Sequence, residues 1–163
     1  KEYVQPLKLV DDPSDNYTIA DRELQFKTSM DLYNMHQDLA KTVADISSRQ
    51  KALKDNMDKV KNAKLKKQMQ EYYDKLETLR AELIPTKQTS MFADETRLRE
   101  DITEIYMAVA NTEAAPNNLQ IDRVKSLRQK VDEAGQKNAQ LASQYEAKIK
   151  SALTKEGLIK SGE

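Results

Sequence analysis

The sequence contains no cysteine and no tryptophan. Without cysteine there is no disulfide framework, no thiol nucleophile and no thiolate metal site, and the redox compartment stays open. Glycine and proline are scarce, at three and four residues. Scarce breakers and one-third charged residues are a helical-bundle composition. Neither sign of charge is in excess: 27 basic residues balance 27 acidic ones, so there is no general pull toward nucleic acid or an anionic surface. No apolar run approaches the roughly 18 residues that a membrane span needs. The low mean hydropathy of −0.83 would suit a disordered chain, but a sustained apolar period argues for packing.

That period is clearest between about Asp21 and Val60. Leu32, Leu39, Val43, Ile46, Leu53, Met57 and Val60 recur at sums of threes and fours, with Met35 or His36 and Gln50 in the gaps. No proline or glycine interrupts it, so roughly 40 residues make a rod about 60 Å long. One stripe on such a rod needs partners of similar length. Leu24, Phe26, Met30 and Tyr33 widen the stripe in the N-terminal half, which predicts burial on more sides there. Gln50, on a core position, should find a polar partner or reach solvent.

Ahead of this helix, Lys1–Val10 reads as a short strand with Val4, Leu7 and Leu9, demoted by Pro6 to an edge or linker. Asp11–Asn16 is a turn cluster. Residues 1–16 are therefore expected to be the remnant of an upstream β domain, and 17–163 the helical domain. The start at Lys1, without Met and in mid-pattern, is what would be expected of an excised fragment. Thr18 with Asp21 resembles a capping box. Asn16-Tyr17-Thr18 also fits a glycosylation sequon, but turn and cap is the favoured reading.

A second helix is expected over about Lys64–Leu83, where Leu65, Met69, Tyr72, Leu76, Leu79 and Leu83 alternate steps of four and three. Pro85 ends it, and Thr86–Phe92 reads as a loop with Met91 and Phe92 tucked inward. A third is expected over about Asp94–Ala110, with Leu98, Ile102, Ile105 and Val109 inward and Tyr106 beside them. After a break at Asn111–Pro116, Asn117 and Gln120 make a second capping box. The fourth helix runs to about Lys155 on Ile121, Val124, Leu127, Val131, Ala134, Leu141, Tyr145, Ile149 and Leu153, with Asn138 in the gap. Gly135 within it either costs about 1 kcal/mol against alanine or permits close backbone approach. Gly157 stops it.

The fold class is thus all-α, an elongated antiparallel bundle. Two short helices laid end to end match one long helix, so three rods with a middle arm broken at Pro85–Phe92 is the first choice, and the extra apolar residues at 24–33 would meet the third helix. The competing layout is an up-down four-helix bundle.

Residues that could carry chemistry are few. His36 is the lone histidine and cannot build a zinc site without further ligands, so a structural role is expected. Tyr72 and Tyr73 could stack on a ligand, but one in the core and one at the rim is the simpler reading. Asp94, Glu95, Glu100, Asp101 and Glu104 cluster around the third helix without the Glu-x-x-His pairs of a metal-carboxylate bundle. Lys51, Lys54, Lys59, Lys61, Lys64, Lys66 and Lys67 face only Asp55 and Asp58 in sequence. No arginine or aromatic residue interleaves with them, so a solvated helix corner is favoured over a phosphate-binding patch. No phosphate loop, nucleophile elbow or Cys/His pair occurs. No catalytic, cofactor-binding or metal residue is assigned, and the fragment is not expected to be an enzyme.

Two stretches carry a family resemblance. Tyr3–Phe26 reads Y-V-Q-P-L-K-L-V-D-D-P, a short turn, then T-I-A-D-R-E-L-Q-F. Leu98–Gln120 reads L-R-E-D-I-T-E-I-Y-M-A-V-A-N-T-E-A-A-P-N-N-L-Q and is followed by a long helix ending A-L-T-K-E-G-L. Together they resemble the C-terminal region of bacterial sortilin-like (Vps10-type) Asp-box β-propeller proteins, often labelled glycosyl hydrolases with BNR repeats. There the final strand reads roughly Y-T-Q-P-L-x-V-x-x-D-P-R, and a later helical part carries L-x-x-x-V-x-x-A-D-A-A-P-T. Here Ser14 replaces the Arg, and Glu113-Ala114-Ala115-Pro116-Asn117 replaces Asp-Ala-Ala-Pro-Thr.

The resemblance implies an exported bacterial protein whose upstream β domain and propeller lie outside this sequence. Neither an Asp-box nor a Trp is present, so no functional residue carries over. The function expected is a non-catalytic accessory or interaction module whose partner is the upstream β domain or another protein, with no nucleic acid, no membrane insertion and no cofactor. The alternatives are a self-associating coiled-coil adaptor, a nucleic-acid-binding bundle, or part of a glycoside hydrolase-like enzyme whose active site lies outside the fragment.

Overall fold

The computed structural model describes residues 2–8, 10, 16–86 and 96–159. Four helices follow in order: α1 (Ile19–Met57), α2 (Ala63–Leu83), α3 (Leu98–Ala110) and α4 (Asn118–Lys155). Both capping boxes form. The Thr18 amide donates to Asp21 Oδ2 at 3.0 Å and the Asp21 amide to Thr18 Oγ1 at 3.2 Å. At α4, Asn117 and Gln120 exchange the same pair of bonds at 2.9 Å each. These satisfy amides that a helix start leaves without partners. Thr18 is thus the expected cap, while the turn expected at Asp11–Asn16 lies, apart from Asn16, outside the described residues.

α4 ends in a Schellman motif. The Gly157 amide donates to Thr154 O and the Leu158 amide to Leu153 O, both at 3.0 Å, with Gly157 at φ 71. That left-handed backbone suits glycine, which has no Cβ to clash. α3 starts at Leu98, later than expected: Arg97 is its N-cap in extended backbone with no side-chain cap bond. The predicted inward placement of Met91 and Phe92, and the predicted start at Asp94, lie outside the described residues.

Long-range bonds set the helix directions. Arg128 of α4 donates to Asp38 of α1 at 2.9 Å, Arg49 to Glu146 at 2.6 Å, and the Lys61 amide to Glu156 at 3.2 Å. Both residue numbers rise together, so α1 and α4 run parallel. α2 opposes them, since Tyr72 reaches Glu146 while Lys137 pairs with Glu82. α3 opposes them too: Gln25 reaches Val109, and Arg123 pairs with Asp101. Three rods result, with α2 and α3 end to end as the return arm, at about 30 and 20 Å against nearly 60 Å for α1 or α4. This is the first of the two expected layouts.

One continuous core fills the three-rod seam, with Leu32, Met35, Ile46, Met69, Leu76 and Leu127 wholly enclosed. Gln50 finds the polar partner expected of it, donating to Glu77 at 2.8 Å.

Two expectations fail. Residues 2–8 and 10 form no strand, and Tyr3, Val4 and Leu7 are more than 80% exposed. A lone strand has no ladder to satisfy its backbone, and no second strand occurs among the described residues. Leu24, Phe26, Met30 and Tyr33 are not buried on extra sides; Phe26 is 68% exposed. α3 does meet this half of α1, but on the flank that carries Gln25 and His36. Phe26, Met30 and Tyr33 fall on the back of α1, turned away from the seam.

Candidate functional site

The densest side-chain chemistry lies halfway along α2, where three helices cross. Tyr72, a core residue of the α2 stripe, lies flat against Tyr145 of α4, ring centroids 4.9 Å apart and planes 4° apart. Its hydroxyl donates to Glu146 Oε1 at 3.2 Å. Burial, and the neighbouring Glu146 carboxylate, raise the Tyr72 pKa well above its ordinary value of 10.0, so the phenol keeps its proton. Tyr73, one residue on, is half-buried at the rim. The pair therefore divides as core and rim, as expected.

Glu146 also accepts from Arg49 Nε at 2.6 Å, and Arg49 Nη1 donates to Asn138 Oδ1 at 3.3 Å. Asn138, which filled the gap in the α4 stripe, is thus a buried amide held by an arginine of α1. On the other side, the Tyr145 hydroxyl donates to Glu71 at 2.5 Å and accepts from Lys75 Nζ at 2.7 Å. The Tyr145 bond, then Lys75, holds the Glu71 carboxyl below its ordinary value of 4.5. Both carboxylates, Glu71 and Glu146, and both tyrosine hydroxyls here are engaged in hydrogen bonds. The cleft beside Tyr72, about 310 Å³, is walled mainly by Ala52, Leu53, Met69, Ile149 and Leu153.

His36 lies at the α3 level, half-buried, with its ring edge-on to Tyr106 at 6.3 Å and 88°. Burial, followed by Arg99, lowers its pKa from 6.5, against an opposing pull from Glu100. Glu100 accepts from Arg99 through one oxygen, and its other oxygen is enclosed without a hydrogen-bond partner. Asp101 is paired with Arg123, and Glu104 has no ion-pair partner among the described residues. Asp94 and Glu95 lie outside the described residues. Among the described residues no group of three His, Asp or Glu side chains could hold a metal ion, and no helix is long and apolar enough to cross a membrane.

Sequence reasoning missed the latch at the start of α1. The Tyr17 hydroxyl donates to Gln25 Oε1 at 2.5 Å, and Gln25 Nε2 donates to the carbonyls of Val109, at 2.8 Å, and Thr112. One side chain thereby caps two carbonyls at the end of α3, a role that no local pattern around Gln25 signals. The Arg49 bridge was missed for the same reason: its partners lie roughly ninety residues away in the chain.

Compared with known proteins, the chain matches no family model, no curated protein and no solved structure.

Proposed function

We propose that the helical domain, residues 17–163, is a non-catalytic accessory module that docks against another folded domain, the β domain of an exported bacterial protein of the sortilin-like Asp-box β-propeller kind. The observation that carries docking is the back of α1. Ile19, Phe26, Met30 and Tyr33 follow one another at steps of seven, four and three and are 41–68% exposed, on the face away from the core. A contiguous apolar strip of this kind is stabilised by being covered. Tyr3, Val4, Leu7 and Val10, exposed just upstream, extend the uncovered apolar surface toward whatever precedes α1. The motifs at 3–26 and 98–120 support the identity of the covering domain and, with it, export. The spent carboxylates and hydroxyls around Tyr72 and Tyr145 support the absence of catalysis.

Hydroxyl-radical footprinting tests this. Phe26, Met30 and Tyr33 are reactive side chains and are expected to be protected in the full-length protein relative to the 163-residue chain. Equal labelling in both contradicts docking. The same strip favours self-association as a second reading. Protection that rises with concentration in the isolated chain, with a dimer by light scattering, would select that reading instead.

A further inference from the structure

The lysine run at 51–67 crosses the α1–α2 corner, and the fold adds to it. The ends of α1 and α4 lie side by side, so Lys148, Lys150 and Lys155 join the same blunt end of the rod. Among the described residues, none of these ten lysines has a carboxylate within ion-pair distance. Elsewhere on the helices Lys41, Lys75, Lys125 and Lys137 are all paired, and only Lys27 and Lys130 are not. The acids nearby are largely occupied. Glu146 holds Arg49 and Glu71 holds Tyr145 and Lys75, while Glu156 accepts the neutral Lys61 amide, which leaves the charges of Asp55, Asp58 and Glu156 against ten lysines among the described residues.

Helix dipoles explain only part of this. Lys54 and Lys155 sit in the last turns of α1 and α4, where cations are favoured. Lys64, Lys66 and Lys67 stand at the opposite kind of end, the positive start of α2, whose first turn has no acid. A cation at a helix start is unfavourable, and an external anion beside these lysines would offset that cost.

The geometry selects the anion. Lys64, Lys67 and Lys148 border one shallow cleft together with Glu71, and Lys59 and Lys61 another together with Glu156, so the charges lie on more than one side of the tip. Among the described residues no large apolar side chain at this end is more than partly exposed, so none is placed to enter hydrocarbon. The tyrosines present are stacked on each other or half-buried, and the single arginine is engaged, so neither base stacking nor bidentate phosphate recognition is on offer. We propose that this lysine-ringed end adsorbs, by charge alone and without insertion, to an anionic phospholipid surface whose headgroup phosphates pair with the free ammonium groups.

Co-sedimentation with vesicles tests it, using the 163-residue chain. Binding is expected to phosphatidylcholine vesicles containing phosphatidylglycerol and not to phosphatidylcholine alone. It should weaken about tenfold or more from low to physiological salt, as exposed charges are screened. The triple variant Lys64→Glu, Lys67→Glu, Lys148→Glu should lose at least about tenfold in partitioning, while Lys27→Glu with Lys130→Glu keeps it. If circular dichroism shows the triple variant unfolded, the Lys→Gln triple is read in its place, with a smaller loss expected. Equal binding to neutral vesicles, no binding to either, or an equal loss in the control pair overturns the proposal. Salt-sensitive binding to duplex DNA by a chain that ignores both vesicles overturns it in favour of nucleic acid.

Discussion

Tyr72 and Tyr145 lie face to face, 73 residues apart in the chain, and each sends its hydroxyl to a carboxylate at the bundle's edge. The rings contribute packing and the hydroxyls only partly exposed bonds, so the two parts separate by mutation. Tyr145→Ala is expected to cost about 3–5 kcal/mol, the range for truncating a large buried aromatic. Tyr145→Phe, which keeps the ring, should cost about 1 kcal/mol. Chemical denaturation of the two variants checks this. Equal losses would mean that the hydroxyl, and not the stack, holds the crossing.

The two described glycines should respond with opposite signs. A Cβ at Gly135 meets nothing within 4 Å, so no close backbone approach explains this glycine. Gly135→Ala is expected to stabilise by about 0.5–1 kcal/mol through helix propensity. A Cβ at Gly157 has the same open space but φ is 71, so Gly157→Ala should destabilise by about 1 kcal/mol through backbone strain. Thermal melts of both variants read the two signs directly.

His36 ties stability to pH. Its folded pKa is lowered from 6.5, chiefly by burial, so the unfolded chain takes up the proton first. Stability from this group is full above pH 6.5 and declines as pH falls through that value toward the folded one. Glu71 and Glu77 are also depressed, but from 4.5, so their contribution is lost only below that. Between pH 6.5 and 4.5 the melting temperature is therefore expected to fall on acidification, and His36→Gln should flatten the slope. An unchanged slope in the variant would place the proton uptake elsewhere.

Local signals in the sequence were reliable where the structure uses local physics. Both capping boxes, the Gly157 stop and the core stripes of α1, α2 and α4 rest on spacings of three and four within one helix. The three-rod layout was legible because helix lengths must match for seams to close. What local pattern does not encode is which flank of a helix its neighbour takes. Phe26, Met30 and Tyr33 were therefore expected inside, while the flank α3 uses is marked by Gln25 and His36. Gln25, Arg49 and Arg128 are polar residues whose partners come from the far half of the chain, so nothing beside them in sequence announces their roles. The strand expected at Lys1–Val10 had the right residue types but lacked the neighbour that any strand requires.

The closed three-rod core depends on α1 and α4 running parallel, with α2 and α3 as the return arm. An up-down four-helix bundle would set α1 and α4 antiparallel. The chain has no cysteine, so an introduced pair reports without background. Asp38→Cys with Arg128→Cys replaces two side chains in contact across α1 and α4. The measurement is cross-linking with a short bis-maleimide at low protein concentration, read by gel and peptide mapping, since a contact made through the long Arg128 side chain does not by itself bring two Cα atoms within disulfide range. An intramolecular 38–128 cross-link in a monomeric, fully helical chain is the expected result. Failure to form it, with a Glu23→Cys, Lys155→Cys pair linking in its place, would contradict the parallel arrangement and the core built on it.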